Sequence, residues 1–214
     1  AIVTFSFLIQ VFFFINATNQ LVFVEILIDG TCVGFLVRDW KIIWSDINQI
    51  RNDSFLKHMA IFFGIPILYL FLQSIVLRPN NQDSLVYNLA RNLIYADAGT
   101  LFPSSVSDYT HTSYPIGYDL LYHLFLRFEI ERGLAFFGTV CYLGILVAAY
   151  SLTKAYHSRI TACAVSLLIA CLPEIVFNAT TPKNDLAVAF FALCSLLCLH
   201  LYWKHDRFLH LALL

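Results

Sequence analysis

Two short stretches of this sequence hold residue types suited to acid–base and phosphate chemistry. The first is Arg78-Pro79-Asn80-Asn81-Gln82-Asp83-Ser84-Leu85-Val86-Tyr87-Asn88-Leu89-Ala90-Arg91. Asp83, Tyr87 and Arg91 recur at i, i+4 and i+8, which lines up one polar face if the stretch is helical. A carboxylate at Asp83 suits a general base that takes a proton from a hydroxyl. Arg78 and Arg91 offer planar guanidinium forks that match phosphate. The plainer reading of the same residues is a helix start capped by Asp83, and spacing does not separate the two. The second stretch is Pro173-Glu174-Ile175-Val176-Phe177-Asn178-Ala179-Thr180-Thr181-Pro182-Lys183-Asn184-Asp185. Glu174 lies inside an apolar run, where an ionisable group is a functional candidate by default. Lys183 stands beside Asp185 at the start of the next run. Capping by Asn184 or Asp185, with Lys183 snorkelling, is the alternative there. His111, in His111-Thr112-Ser113-Tyr114-Pro115, is a further candidate contact for sugar or phosphate, although a lone loop histidine is commonly just solvated.

The elements that must position these residues follow from composition. Of 214 residues, 59% are hydrophobic and only 13% charged, and the mean hydropathy is +0.73. Soluble domains carry about a quarter charged residues, so this balance points to a chain that lives in lipid. The charges gather in short stretches between apolar runs of about 15–20 residues, long enough for a helix to cross a bilayer. Strict strand-like alternation is absent, so the spans are predicted to be helices and not barrel strands. A net charge of −1 leaves no basic footprint for nucleic acid.

The predicted architecture is all-α: a polytopic transmembrane helix bundle, 1–214 as a single transmembrane domain, with about six spans. The apolar runs are 2–15, 21–37, 59–77, 133–152, 160–177 and 186–202, the fifth broken near its end by Pro173-Glu174. The second run carries Glu25 and Asp29, which are costly in lipid. The first residues already lie in an apolar run and the last ones read as the start of another, so the chain is expected to be truncated at both ends. The basic stretches 38–57, 154–159 and 204–207 fall on one side when spans alternate, and the positive-inside rule makes that side cytoplasmic. The turns 16–20 and 178–185 and the long polar loop 78–132 then share the outer side. Within that loop, Leu85, Leu89 and Leu93, and later Leu120, Leu121, Leu124 and Phe128, suggest amphipathic helices at the interface. Six tyrosines, from Tyr87 to Tyr122, suit the same placement.

With this layout, the sequence resembles the GT-C superfamily of polytopic glycosyltransferases, especially the branch of protein O-mannosyltransferases and lipid A aminoarabinose transferases. The resemblance rests on Asn81-Gln82-Asp83-Ser84-Leu85-Val86-Tyr87-Asn88-Leu89-Ala90-Arg91 opening a large outer loop, and on Pro182-Lys183-Asn184-Asp185 in the next one. It covers roughly residues 60–205. It implies Asp83 as the catalytic acidic residue and Asp185 as a second acidic residue supporting it. It also implies a polyprenyl-phosphate-linked sugar donor with its tail in membrane lipid, and a glycan, lipid or protein acceptor hydroxyl. Arg78, Tyr87, Arg91, His111, Glu174 and Lys183 become substrate-binding candidates. A divalent cation is optional, because cationic side chains can balance the departing phosphate; no metal site is assigned. The chain departs from the family pattern in placing about three runs ahead of the loop and in having no acidic pair at Asp83. The expected location is a bacterial plasma membrane with the site facing outward.

Two other classes compete. A transporter or lipid flippase would use Glu25, Asp29 and Glu174 as intramembrane charges, but no internal repeat supports one. A non-catalytic assembly subunit would leave Asp83 and Asp185 dispensable. The six cysteines all sit in apolar runs with no metal-ligand spacing and read as small core residues. His200, His205 and His210 cluster near the cytoplasmic end. Asn16-Ala17-Thr18 and Asn178-Ala179-Thr180 match glycosylation acceptors but lie very near the membrane.

Overall fold

Apolar runs without alternation leave the backbone one way to satisfy its own hydrogen bonds in lipid, the helix. The computed structural model describes residue 11, residues 54–79, 81–82, 84–98, 118–126, 128 and 130–205. All regular structure among them is helical, in agreement with the all-α expectation. The first two apolar runs, with Glu25 and Asp29, lie outside the described residues except for Val11. The chain divides into two units, one drawn from Ala1–Leu72 and Leu89–Glu129, the other from Gln73–Asn88 and Ile130–Leu214.

Helix α1 is Ser54–Val76, 23 residues with Pro66 inside. From residue 61 onward its side chains are mostly apolar and mostly exposed; Ile65 and Tyr69 are 68% and 65% exposed. A π-helical turn, Ser84–Leu89, leads into α2, Ala90–Ala98. The predicted leucine stripe is not buried as one face. Leu89 is buried while Leu85 and Leu93 are about half exposed. In the first unit, a 3-10 turn, Asp119–Tyr122, continues into the short helix α3, His123–Leu126. Leu120, Leu121 and Tyr122 are fully buried, and α2 packs against both the 3-10 turn and α3.

The second unit is built around α4, Phe136–Tyr156, which packs against α5 (Arg159–Ala170), α6 (Pro173–Ala179) and α7 (Asp185–His205). Gly138, Cys141, Tyr142, Ile145, Ala148 and Ala149 of α4 are buried, the three-and-four spacing of a helical core face. Gly133, at φ 81°, turns the chain into α4; a side chain there would force a left-handed backbone. After α4, His157 is extended and the Ser158 hydroxyl accepts the Thr161 N–H at 3.2 Å, capping α5. Proline ends α5: Pro173 has no N–H for the Ile169 carbonyl, which takes the Leu172 N–H at 3.2 Å instead. The chain then restarts as α6 with Pro173 in its first turn, bent by 69° from α5.

By length and composition, α4 and α7 can each cross a membrane, and α5 with α6 adds a third crossing if the bent pair is one span. Their 21 residues apiece reach about 30 Å at 1.5 Å per residue, the thickness of the hydrocarbon core.

Candidate functional site

The two chemistry-bearing stretches meet in the second unit through a backbone carbonyl. Ser84 Oγ donates to the Pro182 carbonyl at 3.2 Å, and Asn88 Nδ2 donates to the same oxygen at 3.1 Å. Ser84, Thr181 and Pro182 are buried. The π-helical turn makes this possible locally by bringing Ser84 and Asn88 to one acceptor. Its start is fixed by Asn81, whose Oδ1 accepts the Ser84 N–H at 3.3 Å and whose carbonyl accepts the Leu85 N–H at 3.1 Å.

The 178–185 turn is held from α4. Thr139 Oγ1 donates to the Ala179 carbonyl at 2.8 Å, and Tyr142 OH donates to the Ala170 carbonyl at 3.2 Å. These are carbonyls at the C-terminal ends of α6 and α5, where helical partners run out. Gly138 lets the helices approach: a Cβ there would lie 3.1 Å from the Asn178 and Thr181 carbonyl oxygens and 3.2 Å from that of Ala179. Beyond the turn, Lys183 N–H bonds the Thr181 carbonyl at 2.9 Å, and the Asn184 carbonyl accepts the Val188 N–H at 3.0 Å. Asn184 thus starts α7, and Asp185 stands exposed in its first turn, where a carboxylate also complements the helix dipole.

The remaining candidates fall as follows. Glu174 is exposed in the first turn of α6, and its Oε1 accepts Asn178 Nδ2 at 3.1 Å. It therefore sits just past the break in the fifth run, at a helix start. Asn178 is 4% exposed, so its side chain is sealed from a glycosylating enzyme in this conformation. Arg78 forms an exposed ion pair with Glu131, Nε to Oε2 at 3.1 Å, tying together the two ends of the 78–132 loop. Tyr87 is 43% exposed and Arg91 only 4%, so the two do not share a solvent face. Asp83 and His111 lie outside the described residues.

Arg91 instead belongs to a buried cluster in the first unit. Its Nη2 is paired with Asp119 Oδ2, with both side chains almost fully buried. Asn92 Nδ2 donates to the Asp119 carbonyl at 2.7 Å. Burial holds the Arg91 guanidinium below its usual range, partly offset by Tyr95, and the same burial pushes the Tyr95 phenol up, against the pull of Arg91. A phosphate would reach Arg91 only by displacing Asp119. Sequence reasoning missed Asp119, Ser84 and Asn88. The one signal for Asp119 was a carboxylate set directly before the apolar pair Leu120-Leu121, a placement that calls for a cationic partner.

At this end of the second unit the exposed polar side chains include Tyr87, Glu174 and Asp185, with Lys183 half-buried. A carboxylate, an ammonium and a phenol are carried on two stretches that meet at the Pro182 carbonyl, and groups of these types can handle a hydroxyl proton and an anionic group. Among the described residues, no group of three His, Cys, Asp or Glu side chains is placed to hold a metal ion. No protein-family model, curated protein or solved structure matches the chain.

Proposed function

We propose that this chain is a multi-pass membrane glycosyltransferase that moves a sugar from a polyprenyl-phosphate donor to an acceptor hydroxyl on the outer face of a bacterial plasma membrane. One observation carries the reading: Ser84 and Asn88, within the motif that contains Asp83, both donate to the carbonyl of Pro182, which opens the motif containing Lys183 and Asp185. Two stretches separated by about a hundred residues are thus one locus at the end of an apolar bundle.

The chemistry is a direct displacement. Asp83 takes the proton of the acceptor hydroxyl, whose oxygen attacks the anomeric carbon. The bond from that carbon to the phosphate oxygen breaks, and polyprenyl phosphate leaves with the electron pair. Lys183 and Arg78 stabilise the departing negative charge, and Asp185 orients the acceptor. Arg78 is free to turn from its exposed Glu131 partner at little cost, since such pairs are worth about 0–1 kcal/mol. The donor tail stays among lipid-facing helices throughout.

The test is sugar transfer from a radiolabelled polyprenyl-phosphate donor in membranes carrying the full-length protein, with Asp83→Asn at equal abundance. The variant keeps side-chain size and removes the base, and the expected loss is about 10²–10⁴-fold. Undiminished transfer by the variant would sink the role of Asp83.

One observation favours a second reading. The 69° break between α5 and α6, with Glu174 in the first turn after it, is the kind of interrupted helix on which transporters build substrate sites. A transporter or flippase would lose translocation in Glu174→Gln and show no sugar transfer in the wild type.

A further inference from the structure

The opposite end of the second unit carries a cleft that the transfer chemistry does not use. It encloses about 400 Å³ between α4 and α7 and is lined by Ser151, Lys154, Ala155, Leu197, His200 and Lys204. The two helices run parallel. Gly144 meets the Phe190 ring nearer their starts, and Tyr156 meets His200 nearer their ends, hydroxyl to Nδ1 at 2.7 Å. Their C-terminal turns therefore arrive at one level and bring one lysine each to a shared opening. Lys154 Nζ stands 5.6 Å above the Tyr150 ring on its own helix. Both lysines are exposed. Among the described residues neither has a carboxylate partner.

A lysine in the last turn of a helix complements the dipole. That accounts for a lysine on each helix, but not for both bordering one cleft. The surroundings specify the ligand further. Tyr156 and Trp203 are 69% and 78% exposed, and exposed Tyr and Trp at the ends of apolar helices mark the membrane–water boundary. Ala155, beside Lys154, and Leu197, about two turns before Lys204, give the cleft its aliphatic walls. The site therefore offers positive charge at headgroup depth and apolar surface just beneath it, the pattern of an amphiphile with an anionic head.

We infer that the cleft between the C-terminal ends of α4 and α7 binds an anionic phospholipid, its phosphate held between Lys154 and Lys204 and its first acyl carbons against Ala155 and Leu197. The inference rests on α4 and α7 crossing the membrane and is independent of the proposed sugar transfer. Each lysine near an anionic surface is worth about fivefold in binding.

Trp203, one residue from Lys204, supplies the probe. The 214-residue chain carrying Trp40→Phe and Trp44→Phe, which leaves Trp203 as the one tryptophan of these 214 residues, is reconstituted in vesicles of brominated phosphatidylglycerol mixed with phosphatidylcholine, and in the converse mixture. Preferential quenching by the phosphatidylglycerol, roughly tenfold or more, that falls to parity in Lys154→Gln/Lys204→Gln supports the site. Equal quenching by both lipids in the parent overturns it, as does a preference that survives the double substitution. Equal quenching by both lipids together with lysine-dependent binding of inorganic phosphate to the detergent-solubilised chain assigns the cleft to free phosphate and overturns the lipid. Absence of quenching by either lipid removes the membrane crossing itself, which distinguishes that failure from the others. Retained helical circular dichroism shows that the double variant is folded.

Discussion

At the residue scale, two ion pairs among the described residues have opposite settings, and their energetics should differ accordingly. Arg78 and Glu131 are 71% and 61% exposed, Arg91 and Asp119 are 5% and 1% exposed. An exposed pair contributes about 0–1 kcal/mol. Removing one partner of a buried pair leaves the other charge dry and costs about 3–5 kcal/mol. Asp119→Ala is thus predicted to lower thermal stability far more than Glu131→Ala, measured by near-ultraviolet circular dichroism in detergent. The double substitution Arg91→Met/Asp119→Leu should recover most of the loss. Equal small effects for both single variants would contradict the buried pairing. Asp119 Oδ1 has no hydrogen-bond partner among the described residues, so the carboxylate is engaged through one oxygen. Tyr95 adds a pH signature. Its folded pKa lies above the ordinary 10.0, because burial disfavours the phenolate more than Arg91 favours it. A group with a raised folded pKa contributes stability in full below its unfolded pKa and loses it as pH rises through the folded one. Stability is therefore predicted to fall above about pH 10, and Tyr95→Phe should shallow that alkaline limb in a pH series of unfolding midpoints.

At the element scale, two glycines of α4 set helix approach in different ways, and a double-mutant comparison separates them. A Cβ at Gly138 would crowd three backbone carbonyls, and a Cβ at Gly144 would fall 2.3 Å from the Phe190 ring. Backbone cannot yield as a ring can. Gly138→Ala and Gly144→Ala should each destabilise by roughly 1–3 kcal/mol through overpacking. Phe190→Ala is predicted to relieve Gly144→Ala and to leave Gly138→Ala unrelieved, read from thermal unfolding of the four variants. Relief in both backgrounds would mean that α4 simply shifts. The helices themselves were legible because uninterrupted apolar runs admit little else, and Pro173 announced the break in the fifth run. The π-helical turn was not legible: Ser84–Leu89 has no composition that distinguishes it from an α-helix. At the site, the Lys183-Asp185 turn was visible in sequence as a polar interruption. The bonds from Ser84 and Asn88 to Pro182 were not, because a backbone carbonyl accepts from a donor about a hundred residues away without leaving any trace of residue type. The Arg91–Asp119 pair was hidden for a related reason: the two residues are 28 apart in sequence, and only tertiary packing brings them together and buries them.

At the scale of the whole molecule, the surface decides the solvent. Ile61, Phe62, Ile65, Leu68, Leu72 and Val76 of α1 are all more than half exposed, as are Val147, Leu168, Val188 and Leu196 on the helices of the second unit. A water-soluble monomer rarely leaves a contiguous apolar patch of more than a few hundred Å² uncovered, whereas lipid tails cover such a surface without penalty. If α5 and α6 together make one crossing, the turn at 157–158 and the turn at 180–184 lie on opposite sides of the membrane. The prediction is tested by replacing the six cysteines and adding His157→Cys or Thr180→Cys, one at a time, in the full-length protein. In intact cells, a membrane-impermeant maleimide should label Thr180→Cys and spare His157→Cys; both should react once the membrane is permeabilised. Labelling of both in intact cells would mean that the bent pair enters and leaves on the same side, as a re-entrant segment does. The reverse pattern would keep the crossing but turn the Lys183-Asp185 locus inward. That would remove it from the face where an outward-acting transferase must meet its acceptor, and it would place the Lys154–Lys204 cleft against the outer leaflet.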